Sequence, residues 1–157
     1  MSTEVKRVKK TLHIVYSDLP PTSNKLYFKG TRLTQAARQF KAAFCQYVIQ
    51  NYLHEIGSFV NPDPTSIYGV YLRFFFESLV NDTFNDPKIP ASKRAKTRYK
   101  RIDLSNRIKL LEDCIQEVLA VDDCRTFRAG QEKFQDSFYP RVEIFITELD
   151  PMEFGIK

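Results

Sequence analysis

The side chains best suited to chemistry are concentrated in one stretch: Asp103, Ser105, Asn106, Arg107, Lys109, Glu112 and Asp113, followed by Asp122 and Asp123. At about 100° per residue, with Asp103 at zero, Leu104, Ile108, Leu111, Ile115 and Val118 form an apolar stripe at roughly 60–160°. Asn106, Lys109 and Asp113 then fall near ~300°, ~240° and ~280°, on a polar face shared with Asp103; Leu110, near ~340°, is its one apolar member. The Asp122-Asp123 pair reaches that face only if the chain folds back after the helix. Carboxylates gathered on one surface suit a hard divalent cation, Mg²⁺ or Mn²⁺, which takes oxygen ligands and keeps several waters. Such an ion generates hydroxide and neutralises charge developing on a phosphodiester, and a nearby lysine stabilises the same charge. Each element also has a plainer reading. Asp103 is placed to cap a helix, Lys109 and Asp113 to form an i,i+4 ion pair, and Asp122-Asp123 to make a turn.

Immediately upstream lie Lys93, Arg94, Lys96, Arg98, Lys100 and Arg101, with no acidic residue among them. The chain carries 24 Lys+Arg against 19 Asp+Glu, a formal charge of +5, so this block of +6 leaves the remainder near −1. A nearly neutral domain with one basic block suggests an anionic partner, most often nucleic acid; a solvated loop is the plainer alternative.

Positioning these groups requires a folded frame, and the pattern supplies one. Thr11 to Tyr16 alternates as a strand with Leu12, Ile14 and Tyr16 on one face, and a short extended piece surrounds Leu26 to Phe28. The spacing of Ala36, Phe40, Ala43, Phe44, Tyr47, Val48 and Tyr52 predicts a helix from Thr34 to about His54, ended by Gly57 and the Asn61-to-Pro64 loop. Ser66 to Phe76 reads as a central strand buried on both faces. Residues 81–100 lose periodicity and read as a mobile, exposed basic loop. A second helix runs from Leu104 to Leu119, a strand from Cys124 to Lys133, and a last strand from Arg141 to Glu148, closing on a hairpin. Residues 1–10 and those from 150 onward read as tails of a single domain spanning 1–157. The order β-α-β-α-β-β implies an α+β fold, one mixed four-stranded sheet with two main helices on it.

At 157 residues the chain can bury one core without staples. The longest apolar run, Val70 to Phe76, is broken by Arg73 and too short to span a membrane. The basic N-terminus lacks the apolar stretch of a secretory signal, so a cytoplasmic location is expected. Cys45, Cys114 and Cys124 form no CxxC pair, and with only His13 and His54 they make no zinc set.

Asp103-Leu104-Ser105-Asn106, Lys109, Asp113 and Asp122-Asp123, in that order, resemble the RusA family of Holliday-junction resolvases, as does Leu19-Pro20-Pro21-Thr22-Ser23-Asn24 after the first strand. The resemblance covers roughly residues 11–148. It implies a homodimeric, Mg²⁺-dependent endodeoxyribonuclease, with Mn²⁺ as substitute, that resolves four-way DNA junctions by paired nicks and needs no small-molecule cofactor. By that resemblance Asp103 and Asp123 take catalytic and metal-binding positions, Asp122 assists at the metal, and Lys109 is the catalytic lysine. Lys93, Arg94, Lys96, Arg98, Lys100, Arg101, Asn24 and Lys25 would contact DNA. The family's usual Asp-x-Asp-Asn is here Asp103-Leu104-Ser105-Asn106, and a hydroxyl is a weaker Mg²⁺ ligand than a carboxylate. Either Asp122 or Asp113 supplies the missing charge, or the protein binds branched DNA and cuts it poorly. A third reading keeps only a small scaffold whose basic block meets an acidic protein.

Overall fold

A computed structural model describes residues 10–21, 27–28, 32–60 and 63–157. Strand β1, Thr11–Tyr16, buries every second side chain, as its alternation requires. Two short strands, β2 (Tyr27–Phe28) and β3 (Arg32–Leu33), form a small antiparallel ribbon ahead of helix α1, Gln35–Phe59. Thr34 begins α1 by accepting the Ala37 N–H on its hydroxyl at 3.3 Å.

Helix α1 continues past His54 to Phe59, so Gly57 does not end it. Ile56 and Phe59 extend the buried row, whereas Gly57 faces open space. Burying each large apolar side chain stabilises by roughly 1.5–3 kcal/mol, more than the ~1 kcal/mol a glycine costs within a helix. Ala36 and Ala43, expected on the inner stripe, are exposed, and Ala37 and Cys45 are buried instead.

The main sheet has the order β1-β6-β4-β5, where β4 is Ile67–Phe76, β5 Thr126–Gln135 and β6 Arg141–Leu149. Strand β6 runs antiparallel to both β1 and β4, whereas β4 and β5 are parallel. The expected closing hairpin is therefore absent: β5 and β6 follow each other in sequence but flank β4. Helix α2, Ser105–Leu119, lies in the crossover that a parallel pair demands.

Both helices contribute to a single core with β1, β4 and β6, in which Ile14, Phe44, Leu72, Phe74, Leu110 and Ile144 are almost completely buried. Strand β4 is central, yet only its helix-facing side chains are consistently buried. On its other face Tyr71, Arg73 and Phe75 are half-exposed, and Arg73 lies between the rings of Tyr71, Phe134 and Phe145. A Cβ at Gly130 would come within 2.7 Å of the Tyr71 ring, so glycine permits that close strand contact.

The basic segment is irregular and exposed, as expected, and hydrogen bonds close it on itself. Val80 bridges Tyr99, Lys100 N–H donates to Leu79 O at 2.9 Å, and Asn81 N–H donates to Arg98 O at 2.8 Å. The C-terminal residues, expected as a tail, form a 3-10 turn at Pro151–Phe154, and the Phe154 ring meets Phe127 edge-on. Among the described residues no helix is long and apolar enough to cross a membrane.

Candidate functional site

Helix α2 buries Arg107, Leu110, Leu111, Cys114, Ile115 and Leu119. Its inner arc is wider than the sequence stripe because α2 meets two neighbours. Cys45 of α1 approaches Cys114 O at 3.9 Å, and Lys41 of α1 pairs with Glu117 at 2.9 Å. Ile115 and Leu119 instead line a cavity above Tyr68 and Val70 of β4. Leu110, the apparent intruder on the polar face, is thus fully buried.

Asp103 sits just ahead of the first turn. Its Oδ1 accepts the Ser105 N–H at 2.9 Å and the Ser105 hydroxyl at 2.8 Å. Those bonds, with the Arg107 charge nearby, hold its carboxyl below the usual carboxylate range. Asp103 thus closes a turn one residue ahead of the cap position, which Leu104 occupies without a side-chain bond, and the Ser105 hydroxyl supports Asp103. Arg107, named in the sequence but assigned no role there, is buried with its guanidinium 5.2 Å from the Phe76 ring centre, and burial lowers its pKa. Lys109 is exposed, and its amine lies 4.9 Å from the centre of the Tyr27 ring.

At the other end, Ala120 adopts the left-handed conformation (φ 51, ψ 37) and turns the chain out of α2. Asp122 then caps a short 3-10 helix, Asp123–Arg125, by accepting the Cys124 N–H at 3.2 Å. The carboxyls of Asp122 and Asp123 share a hydrogen bond, which pushes Asp123 up and Asp122 down. Asp113 adds to the rise at Asp123. Glu112, half-buried, is raised by burial and then by Asp113 and Asp123. The chain does fold back, and it gathers Glu112, Asp113, Asp122 and Asp123 into one mutually repelling group. Glu112, named in the sequence but assigned no role there, stands near ~180°, at the border of the apolar stripe, where a carboxyl is half-desolvated.

These carboxylates border a groove between α2 and β5. A cavity of about 260 Å³ opens there, lined by Glu112, Gln116 and Asp123 above Thr126 and Ala129. Asp103 stands at its far end, since Lys133 of β5 donates to Ile102 O at 3.4 Å. Asp103 precedes α2, and from Ser105, its first residue, to Glu112 the helix rises about 10 Å along the axis. One chain therefore unites Asp122 and Asp123 but sets Asp103 apart. Among the described residues, no group of three or more His, Cys, Asp or Glu is arranged to hold a metal. A hard cation needs only one or two carboxylates beside water and phosphate oxygens, and the adjacent Asp122–Asp123 pair fits that demand.

Of the six cations in the basic block, Lys93, Lys96, Arg98, Lys100 and Arg101 are exposed. Arg94 is half-buried and donates from Nε to Ile89 O at 2.6 Å, so it holds the loop together. Asn24 and Lys25 lie outside the described residues. The preceding Leu19-Pro20-Pro21 is described: Pro20 is buried and Leu19 packs against the core.

The description that matches this chain is endodeoxyribonuclease RusA, over residues 19–147. No curated protein matches it.

Proposed function

Because the chain belongs to the RusA endodeoxyribonuclease family, we propose that it resolves four-way DNA junctions by divalent-cation-dependent hydrolysis, nicking two opposed strands. The observation that carries this reading is the adjacent Asp122–Asp123 pair at the foot of a groove lined by Glu112 and Asp123, with Asp113 nearby. Two carboxylates held together against their repulsion are relieved by a cation. Asp123 and Asp122 would hold Mg²⁺ or Mn²⁺, which supplies a hydroxide and neutralises charge on the scissile phosphate.

Other parts of the chain bind and orient. The five exposed cations of the basic segment engage backbone phosphates, which sets the duplex arms in place without reading sequence. Lys109, on the solvent side of α2, stabilises phosphate charge near the carboxylates. Asp103 stands at the opposite end of the groove from Asp123, so each end of one protomer is an incomplete site. A two-fold partner with its groove reversed sets Asp103 ends against Asp123 ends, and the resulting homodimer has two sites for two strands.

A second reading, binding of branched DNA with little cleavage, is favoured by Ser105. The family's second carboxylate is missing there, and the replacing hydroxyl is already committed to Asp103. Incubation of the pure protein with a synthetic four-way junction and Mg²⁺ separates the two. Paired nicks that disappear in Asp123→Asn support hydrolysis. Tight binding without nicks, unchanged by Ser105→Asp, establishes the binding protein instead.

A further inference from the structure

We propose that the turn joining β5 to β6 is a stacking wedge, in which Phe138 packs against a base left unstacked where the arms of branched DNA meet. The inference rests on the reading that this chain acts on junctions, and it names the feature by which a junction is told from a duplex.

Phe138 is 96% exposed, so its ring contributes almost nothing to the fold. The backbone that carries it is nonetheless tightly held. Asp136 Oδ1 accepts the N–H groups of Phe138 and Tyr139 at 3.1 and 3.0 Å, and its Oδ2 accepts from Arg141 Nη1 at 2.8 Å. Arg141 also donates to Tyr139 O at 2.9 Å, and its guanidinium lies 3.7 Å from the Phe75 ring centre and 4.9 Å from that of Tyr139. Asp136 N–H is anchored on Phe76 O at 2.8 Å. A fully exposed aromatic on a turn fixed in this way is prepared for contact, because little conformational entropy remains to be lost on binding.

Its surroundings identify the partner. The turn adjoins the root of the basic segment: Gln135 accepts the Leu79 N–H at 2.8 Å, and Leu79 in turn accepts from Lys100. Beside that root Tyr99 is 63% exposed, with the Arg98 guanidinium 5.7 Å from its ring centre. Exposed cations and largely exposed aromatic rings thus occupy one end of the sheet, the combination that binds unpaired nucleotides. In an intact duplex the base faces are covered by their neighbours. At a branch point they are accessible, and an apolar side chain can insert beside them.

The test uses the full chain and its Phe138→Ala and Phe138→Trp variants. Binding to a four-way junction and to a linear duplex of the same sequence is measured by fluorescence anisotropy. The junction carries 2-aminopurine at the branch point, whose emission reports stacking. Phe138→Ala should weaken junction binding roughly tenfold, leave duplex binding unchanged and abolish the 2-aminopurine response, and Phe138→Trp should retain all three. Equal losses on junction and duplex would overturn the wedge, as would wild-type junction binding by Phe138→Ala. A change of oligomeric state in Phe138→Ala would assign the ring to contact with a second copy and also overturn it. If the wild type itself does not prefer junction to duplex, the functional reading fails with it. A retained preference in Phe138→Ala removes the wedge alone.

Discussion

Replacing Lys96, Arg98 and Lys100 together by alanine tests the division of labour between the basic segment and the carboxylate groove. All three side chains are exposed, and Lys100 engages the fold through its backbone N–H, which alanine keeps. Each phosphate neutralised by a lysine or arginine contributes about 0.9 to the slope of log affinity against log salt. If each of the three meets one phosphate, the slope should lose about 2.7 of its magnitude. Between 50 and 200 mM KCl, wild-type affinity should therefore fall about 40-fold more than that of the triple variant. Anisotropy titrations of a labelled four-way junction over that range read the slope directly, and a circular dichroism melt checks that the loop change leaves the fold intact. A slope within about 0.5 of the wild-type value would refute the assignment, because the phosphates would then be held by other side chains. Arg94→Ala should act differently. Losing its bond to Ile89 O loosens the loop, so it should alter proteolysis between Ile89 and Arg101 more than its single charge alters the slope.

Three further outcomes follow from the geometry. Leu110→Ala should destabilise by about 2–5 kcal/mol in urea denaturation, as a fully buried leucine does, and a result below ~1 kcal/mol would place it on the polar face after all. Asp103→Ala should lower Tm relative to Asp103→Asn, because asparagine keeps an oxygen for the Ser105 N–H; both should lose cleavage if the charge matters to chemistry. Glu112 is a raised carboxyl that binds its proton more tightly folded than unfolded. The stability it contributes is present below its ordinary value of 4.5 and lost as pH rises through the raised one. Glu112→Gln should flatten that decline and raise Tm near neutrality; thermal melts across the range that show a steeper decline would contradict the repulsion described for the groove.

The candidate site's residues stand out in the sequence, and their arrangement does not. Asp103, Lys109, Asp113 and Asp122-Asp123 stand out by type and spacing on or beside one helix, and the cations of the basic block stand out by charge. The helical wheel nevertheless misplaced Leu110 and did not show that Arg107 is buried, since a wheel assumes one buried side whereas α2 is covered by α1 and by the sheet. It also treated Asp103 as part of the polar face, although Asp103 precedes the helix and closes a turn on its first residue, Ser105. The closing hairpin was a reasonable expectation for two strands separated by a short turn, and it failed because β4 occupies the place between them.

The sequence by itself determined the element order, the two-helix α+β frame, the family and the separation of charge into a basic segment and an acidic helix. Periodicity and local composition suffice for those, because each depends on neighbours within a few turns of chain. Only the tertiary structure decided that Asp123 returns to Glu112 and Asp113, that Asp103 stays at the far end of the groove, and that Phe138 stands in solvent beside the basic segment. These depend on a left-handed residue at Ala120, the parallel crossover of β5 and an aspartate-held turn. Each is a contact between residues distant in sequence or a single backbone conformation, and neither leaves a periodic trace.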